Sequence, residues 1–174
     1  QNFGKTYCSP RSFKYHLGVP ISLSNLNIEN KYGVFEIGMS KAGEIKNLSR
    51  LVKPHIGIIT NIGEAHIENF KNVQGIAKAK AEIIDNIKKY GTIIINRDDR
   101  FFRYMQKKAK LKKLKIVTYG KNKKSDIFPL KIVKGKILTK IFIKAGNEKI
   151  DLEITNINIY NVLASLAVIK ELNL

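Results

Sequence analysis

Apolar positions along the chain recur with two periods. Residues 32–38 (YGVFEIG), 55–62 (HIGIITNI), Thr92–Asn96 (TIIIN) and Lys115–Tyr119 (KIVTY) are short runs of β-branched and aromatic residues bounded by Gly, Pro or polar positions. They predict buried strands. Between them the spacing changes to i, i+3, i+4. Ile45, Leu48 and Leu51 form the inner face of a helix over Glu44–Val52, stopped before Pro54. Val73, Ile76, Ala77, Ile83, Ile84 and Ile87 predict one helix from residue 73 to 89, closed by Gly91. A third helix follows Asn96-Arg97-Asp98-Asp99 as far as about Leu111, with the acids as its cap and at its positive end. Strands alternating with helices predict an α/β fold with a doubly wound, mainly parallel sheet.

The pattern then changes. Residues 126–154 hold three strand-like runs (IFPLKIV, KILTKIFIK, KIDLEI) broken by Lys134-Gly135 and Gly146-Asn147, which predict hairpins and a small antiparallel sheet beside the parallel one. A last helix is predicted over 156–172, with Ile159, Val162, Leu163, Leu166, Ala167 and Ile169 apolar. Residues 1–31, punctuated by Gly4, Pro10, Gly18 and Pro20, read as loop-rich.

Length allows one domain, or a piece of a longer protein; Gln1 in place of a start methionine suggests a chain cut at its N-terminus, and the chain also stops at Leu174 in mid-pattern, just after an apolar helix. No apolar run is long enough for a membrane-spanning helix. One cysteine, Cys8, gives no disulfide framework and fits a reducing cytoplasm. The net charge of +18 raises a nucleic-acid role. Of the 32 basic residues 27 are lysine, and the densest run, 107–124, carries no interleaved aromatic beyond Tyr119. A solvated face in a lysine-rich, AT-biased composition explains this better than base recognition.

Five positions carry candidate chemistry. Lys80 falls on the apolar face of its predicted helix, where an ammonium must snorkel, meet a carboxylate or lose its charge. His66 sits in the loop after the 55–62 strand and reads as part of the same polar site. Glu36 lies near the C-terminal end of its apolar run. It either faces solvent at an edge or projects into the crevice where open α/β sheets bind ligands. Asn158 and Asn161 share one side of the last helix's first turn, either as a cap plus a solvent-facing amide or as a pair that bonds a base edge. Gly4-Lys5-Thr6 resembles the end of a phosphate-binding loop, but Pro10 follows within a turn and would break the helix that such a loop requires.

Gly18-Val19-Pro20, Phe35-Glu36-Ile37-Gly38-Met39, Gly43-Glu44-Ile45, Ala65-His66-Ile67-Glu68-Asn69-Phe70, Ala77-Lys78-Ala79-Lys80-Ala81-Glu82-Ile83, Asn96-Arg97-Asp98-Asp99 and Asn158-Ile159-Tyr160-Asn161 follow one another in the order and spacing of a known family. On these residues the chain resembles the Mur ligases, in the branch that joins D-alanyl-D-alanine to UDP-N-acetylmuramoyl-tripeptide. The resemblance implies that 1–174 is part of the P-loop-type central ATP-binding domain, with the 126–154 strands inside it. It implies a cytoplasmic, monomeric parent enzyme using ATP and Mg2+ in peptidoglycan synthesis, this stretch alone being inactive. Glu36 and His66 would hold magnesium. Lys80 would become a carbamate that also serves the metal, and Asn158 and Asn161 would bind adenine. A sibling ligase (diaminopimelate-adding or folylpolyglutamate-forming) and a basic nucleic-acid-binding module are the alternatives. Three departures stand out: Lys14-Tyr15 where the family has two asparagines, Ser40-Lys41 where it often has Asn-His, and Ile157 where a histidine is common.

Overall fold

The computed structural model describes residues 3–10, 13–155 and 158–174. The chain divides into two compact units, residues 1–55 with 63–88, and residues 56–62 with 89–174.

In the first unit, β1 (Thr6–Cys8) and β2 (Tyr32–Val34) pair in parallel as a two-stranded sheet. Thr6 therefore opens a strand and not the helix of a phosphate loop. Helix α1 (Gly18–Ser24) crosses between the strands, burying Val19 and Ser22. Pro20 sits in its first turn, where a missing N–H breaks no intrahelical bond. Neither β1 nor α1 is visible in the hydrophobic pattern. The expected buried strand over 32–38 also differs. It is three residues long, half exposed at Val34 (55%), and belongs to this small sheet.

Helix α2 (Glu44–Val52) has the predicted bounds, but its inner face is Ile45, Leu48 and Ser49, while Leu51 is exposed. Its start is held twice. The Glu44 carboxylate accepts the Ser40 and Lys41 N–H groups at 2.6 and 3.0 Å, bonds that hold its pKa below the ordinary carboxylate value. The Glu82 carboxylate accepts the Gly43 and Lys46 N–H groups at 2.8 and 3.0 Å. Unpaired donors at a helix start favour carboxylates in this way.

Glu82 comes from a break that the sequence does not announce. The single helix expected over 73–89 is two: α3 (Val73–Lys80), capped by the Asn72 side chain, and α4 (Ile83–Asn86). Between them Glu82, Ile84 and Asp85 donate to carbonyls three residues back, so the coil tightens. The same turn turns Glu82 toward α2, and Asn86 follows, donating to the Lys46 carbonyl and to Ser49 Oγ, both at 2.8 Å.

The second unit is a six-stranded sheet in the order β3 (Ile56–Ile59), β4 (Thr92–Asn96), β5 (Lys115–Tyr119), β6 (Ile127–Lys134), β7 (Thr139–Ala145) and β8 (Glu148–Ile154). Pairings up to β6 are parallel and the last two are antiparallel. The antiparallel strands thus extend the parallel sheet edge to edge instead of forming one beside it. The junction is narrow, one residue pair, Tyr119 with Ile127. Thr118 locks it, its N–H and Oγ1 donating to Asp126 Oδ2 at 2.7 and 2.6 Å. Pro129 lies beyond that pair, where its missing N–H leaves no gap in the β5 ladder.

Every residue of β4 is buried. Helices α5 (Phe102–Leu111) and α6 (Ile159–Glu171) both pack against β4 and β5. Ile94, Tyr119, Ile127, Ile141, Ile143, Leu163 and Ala167 form one buried cluster. The last helix is predicted from residue 156, but 156 and 157, including the Ile157 departure, lie outside the described residues.

Candidate functional site

The C-terminal ends of β3 and β4 and the first turn of α6 enclose a cavity of about 550 Å³, wholly within the second unit. Thr60, Asn61 and Ile62 come from the β3 end. Asn96, Asp98, Asp99 and Arg100 come from the β4 end, and Asn158, Tyr160 and Asn161 from α6. This is the edge at which open parallel sheets bind ligands, because the chain leaves the strands there with free backbone groups and helix starts. Both candidate asparagines are brought together. Asn158 caps α6, its Oδ1 accepting the Tyr160 N–H at 2.9 Å, and Asn161 is exposed one turn on.

The walls are fixed by two aspartates that the sequence assigns to helix capping alone. Asp99 accepts the Ile62 N–H and the Phe101 N–H, both at 2.8 Å, joining the β3 end to the start of α5. Asp98 accepts the Lys121 and Asn122 N–H groups at 2.5 and 3.2 Å. It also bonds the Tyr160 hydroxyl, whose pKa is raised first by burial and then by the Asp98 charge and hydrogen bond. The Lys121 ammonium lies 5.3 Å from the Tyr160 ring centre, within cation–π range. Tyr160 is thereby held on two sides as a flat wall of the cavity.

Tyr119, fully buried, donates its hydroxyl to the Thr60 carbonyl at 2.9 Å and so supports the cavity floor. Burial, and then the Asp99 charge, push its pKa far above the ordinary phenol value of 10.0. The folded pKa exceeds the unfolded one, so this contribution to stability is complete below pH 10.0 and is lost as pH rises from there toward the folded pKa. We expect the urea midpoint to fall from about pH 9 to about pH 11, and Tyr119→Phe to make that fall shallower. An unchanged slope in the variant would exclude Tyr119 as its source.

The other expected site residues lie in the first unit. Glu36 follows β2. Its N–H donates to Ser9 Oγ at 3.1 Å, and its exposed carboxylate pairs with Lys14 Nζ at 3.2 Å. His66 takes a left-handed backbone conformation (φ 62°) and starts a 3-10 turn over Ile67–Asn69; its Nδ1 is 3.8 Å from Glu68 Oε1. Such a backbone is uncommon outside glycine and costs on the order of 1–3 kcal/mol. Lys80 is the last residue of α3 and only half-buried, so it is not in the middle of a buried stripe as expected.

Among the described residues no group of three or more His, Cys, Asp or Glu is placed to hold a metal ion. Magnesium favours carboxylate oxygens free to approach it. The Glu36 carboxylate carries an ammonium instead, so this arrangement does not fit a magnesium ion. The cavity fits a nucleotide base better: two amides, a flat aromatic wall and backbone groups at a sheet edge.

The family model described as "Mur ligase middle domain" matches residues 2–169. The chain belongs to the Mur ligase middle-domain family. It is 30% identical over 167 residues to a UDP-N-acetylmuramoyl-tripeptide–D-alanyl-D-alanine ligase of Buchnera aphidicola subsp. Baizongia pistaciae, covering 96% of this chain and 36% of that protein. The crystal structure of MurF from Acinetobacter baumannii superimposes with a TM-score of 0.92 at 27% identity, over 99% of this chain and 38% of that one. The fold is shared with the MurF ligase of Thermotoga maritima in complex with ADP (TM-score 0.87, 22% identity, 99% of this chain, 40% of that one). This Mur ligase middle domain thus spans little more than a third of those relatives' length. Among the described residues no helix is long and apolar enough to cross a membrane.

Proposed function

We propose that this domain is the nucleotide-handling part of an ATP-dependent amide ligase that joins D-alanyl-D-alanine to UDP-N-acetylmuramoyl-tripeptide. The cavity at the sheet edge carries the proposal. Asn158 and Asn161 would bond the base edge of ATP, and the Tyr160 ring offers a flat surface for its face. In the family reaction a substrate carboxylate takes the γ-phosphoryl group to give an acyl phosphate, which an amine then displaces. Such chemistry depends on positioning and charge more than on a general base.

Glu36, His66 and Lys80 enter the proposal as the residues of the reacting end. The strained backbone at His66 supports a role for it. Lys80, half-buried, is proposed to take up carbon dioxide as a carbamate. Glu36 is proposed as a carboxylate that faces a metal ion, against the Lys14 ammonium that now sits on its Oε1.

Asn161→Ala tests the nucleotide reading. The side chain is exposed, so stability should hold, while ATP affinity, followed by amide NMR shifts, should fall about tenfold. Unchanged affinity would remove Asn161 from the site. The amine tests the substrate reading. In a chain of the relatives' full length carrying this domain, D-alanyl-D-alanine should drive phosphate release in the presence of UDP-N-acetylmuramoyl-tripeptide. Release driven instead by diaminopimelate with UDP-N-acetylmuramoyl-L-alanyl-D-glutamate, or by glutamate with a folate, would favour a sibling ligase.

A further inference from the structure

The ion pair at Glu36 is built in by its surroundings. The Gly38 N–H donates to the Lys14 carbonyl at 2.7 Å, tying the Lys14 backbone to the segment that carries Glu36. Gly38 has no side chain to obstruct this approach. A Cβ there would lie 3.0 Å from Tyr15 Cε1 and 3.1 Å from Lys14 Cγ, tighter than ordinary contact. The Lys14 stem and the Tyr15 ring thus lie against the bare backbone of residue 38, and the Lys14 ammonium reaches Glu36 Oε1 at 3.2 Å. The ammonium is also 5.9 Å from the Tyr15 ring centre. Lys14 is the more covered partner, its side chain 35% exposed against 58% for Glu36. Four contacts therefore set the cation: a backbone bond, a glycine gap, a ring and a carboxylate. Lys14 and Tyr15 are also the pair that departs from the family's two asparagines.

We propose that Lys14 is a tethered counter-ion that occupies the cation position on Glu36 and weakens the binding of a divalent metal ion there. This rests on the reading of Glu36 as a metal-facing carboxylate. An ammonium fixed against a carboxylate oxygen blocks one approach to that oxygen. It also repels a divalent ion seeking the other. At a solvent-exposed site this repulsion is screened, and its size is on the order of tenfold in affinity. An asparagine at position 14 would add a neutral oxygen donor and remove the charge.

The test is a Mn2+ titration of the 174-residue chain, read by the electron paramagnetic resonance of free Mn2+. Wild type, Lys14→Asn, Glu36→Gln and the double variant are compared, with circular dichroism as the check on folding. Both residues are solvent-accessible, so the variants should fold. Lys14→Asn should bind Mn2+ about tenfold more tightly than wild type, and adding Glu36→Gln should abolish the gain. Two results overturn the proposal in different ways. If Lys14→Asn matches wild type while Glu36→Gln weakens binding, Glu36 takes the metal with Lys14 in place. If all four chains bind alike, Glu36 is not a metal-facing carboxylate and the reading beneath the proposal fails as well.

Discussion

Replacing Ile94 by alanine is expected to destabilise the chain by about 3 kcal/mol, within the usual range for a fully buried large-to-small change. Ile94 is the middle residue of β4, has no solvent exposure, and pairs with Ile58 on one side and Val117 on the other. Its side chain lies in the buried cluster with Leu163, Ala164 and Ala167 of α6. The sheet fixes the backbone on both sides, so the neighbours have little room to close the gap, and the cavity cost adds to the lost burial. Urea denaturation measures it directly. The thermal midpoint should fall by roughly 10 °C for a chain of this size. Leu51→Ala is the matched control. The pattern places Leu51 on the inner face of α2, yet it is 52% exposed, and its replacement should change stability by less than about 0.5 kcal/mol. Equal losses at the two positions would mean that burial does not distinguish them.

That pair of residues shows how far the sequence could be read. Thr92–Asn96 and Lys115–Tyr119 are legible because central parallel strands are buried on both faces and need continuous β-branched runs. Position 51 misleads because an i, i+3, i+6 reading drifts off the helix face, and the inner position falls instead to a small polar residue, Ser49, which accepts a bond from Asn86. The first 31 residues hide β1 and α1, since a three-residue strand and a two-turn helix are too short to establish a period. The break after Lys80 is invisible for another reason. Its residues are good helix formers, and the interruption coincides with the turn of Glu82 toward α2, a long-range contact that no local pattern encodes.

The site divides in the same way. That Asn158 and Asn161 lie together is legible because a cap and a position three residues on share one side of a helix, and both line the cavity. The sequence also shows Asp98 and Asp99, but only as acids near a helix start. Besides the local Phe101 N–H, their partners are the amides of Ile62, Lys121 and Asn122, far away in sequence. An acid held by amides from another loop becomes recognisable only when the strand order is known. Lys14 could be flagged by its departure from the family, but its partner, 22 residues away, could not.

The second large effect follows from the Asp98 contacts. Gly120→Ala should cost about 3 kcal/mol and should weaken adenine-nucleotide binding together with stability. Gly120 has φ +154°, a conformation that side chains resist, and a Cβ there would stand 2.8 Å from Asp98 Oδ2 and 2.9 Å from Asp98 Cγ. Two costs combine. The backbone must leave a shape that only glycine holds easily, and the carboxylate must retreat from the Lys121 and Asn122 amides. Retreat of Asp98 would also release the Tyr160 hydroxyl, so the wall of the cavity would lose its anchor. Asp98→Asn separates the two costs. It keeps the shape at position 98 and leaves Gly120 unstrained, but removes the charge that strengthens the bonds to the two amides. It should therefore destabilise less than Gly120→Ala while still loosening Tyr160. If Gly120→Ala is as stable as wild type, the loop after β5 adapts and Asp98 does not fix it. If it loses stability but keeps its nucleotide affinity, the Tyr160 wall is not part of the proposed binding surface, and that proposal would rest on Asn158 and Asn161 alone.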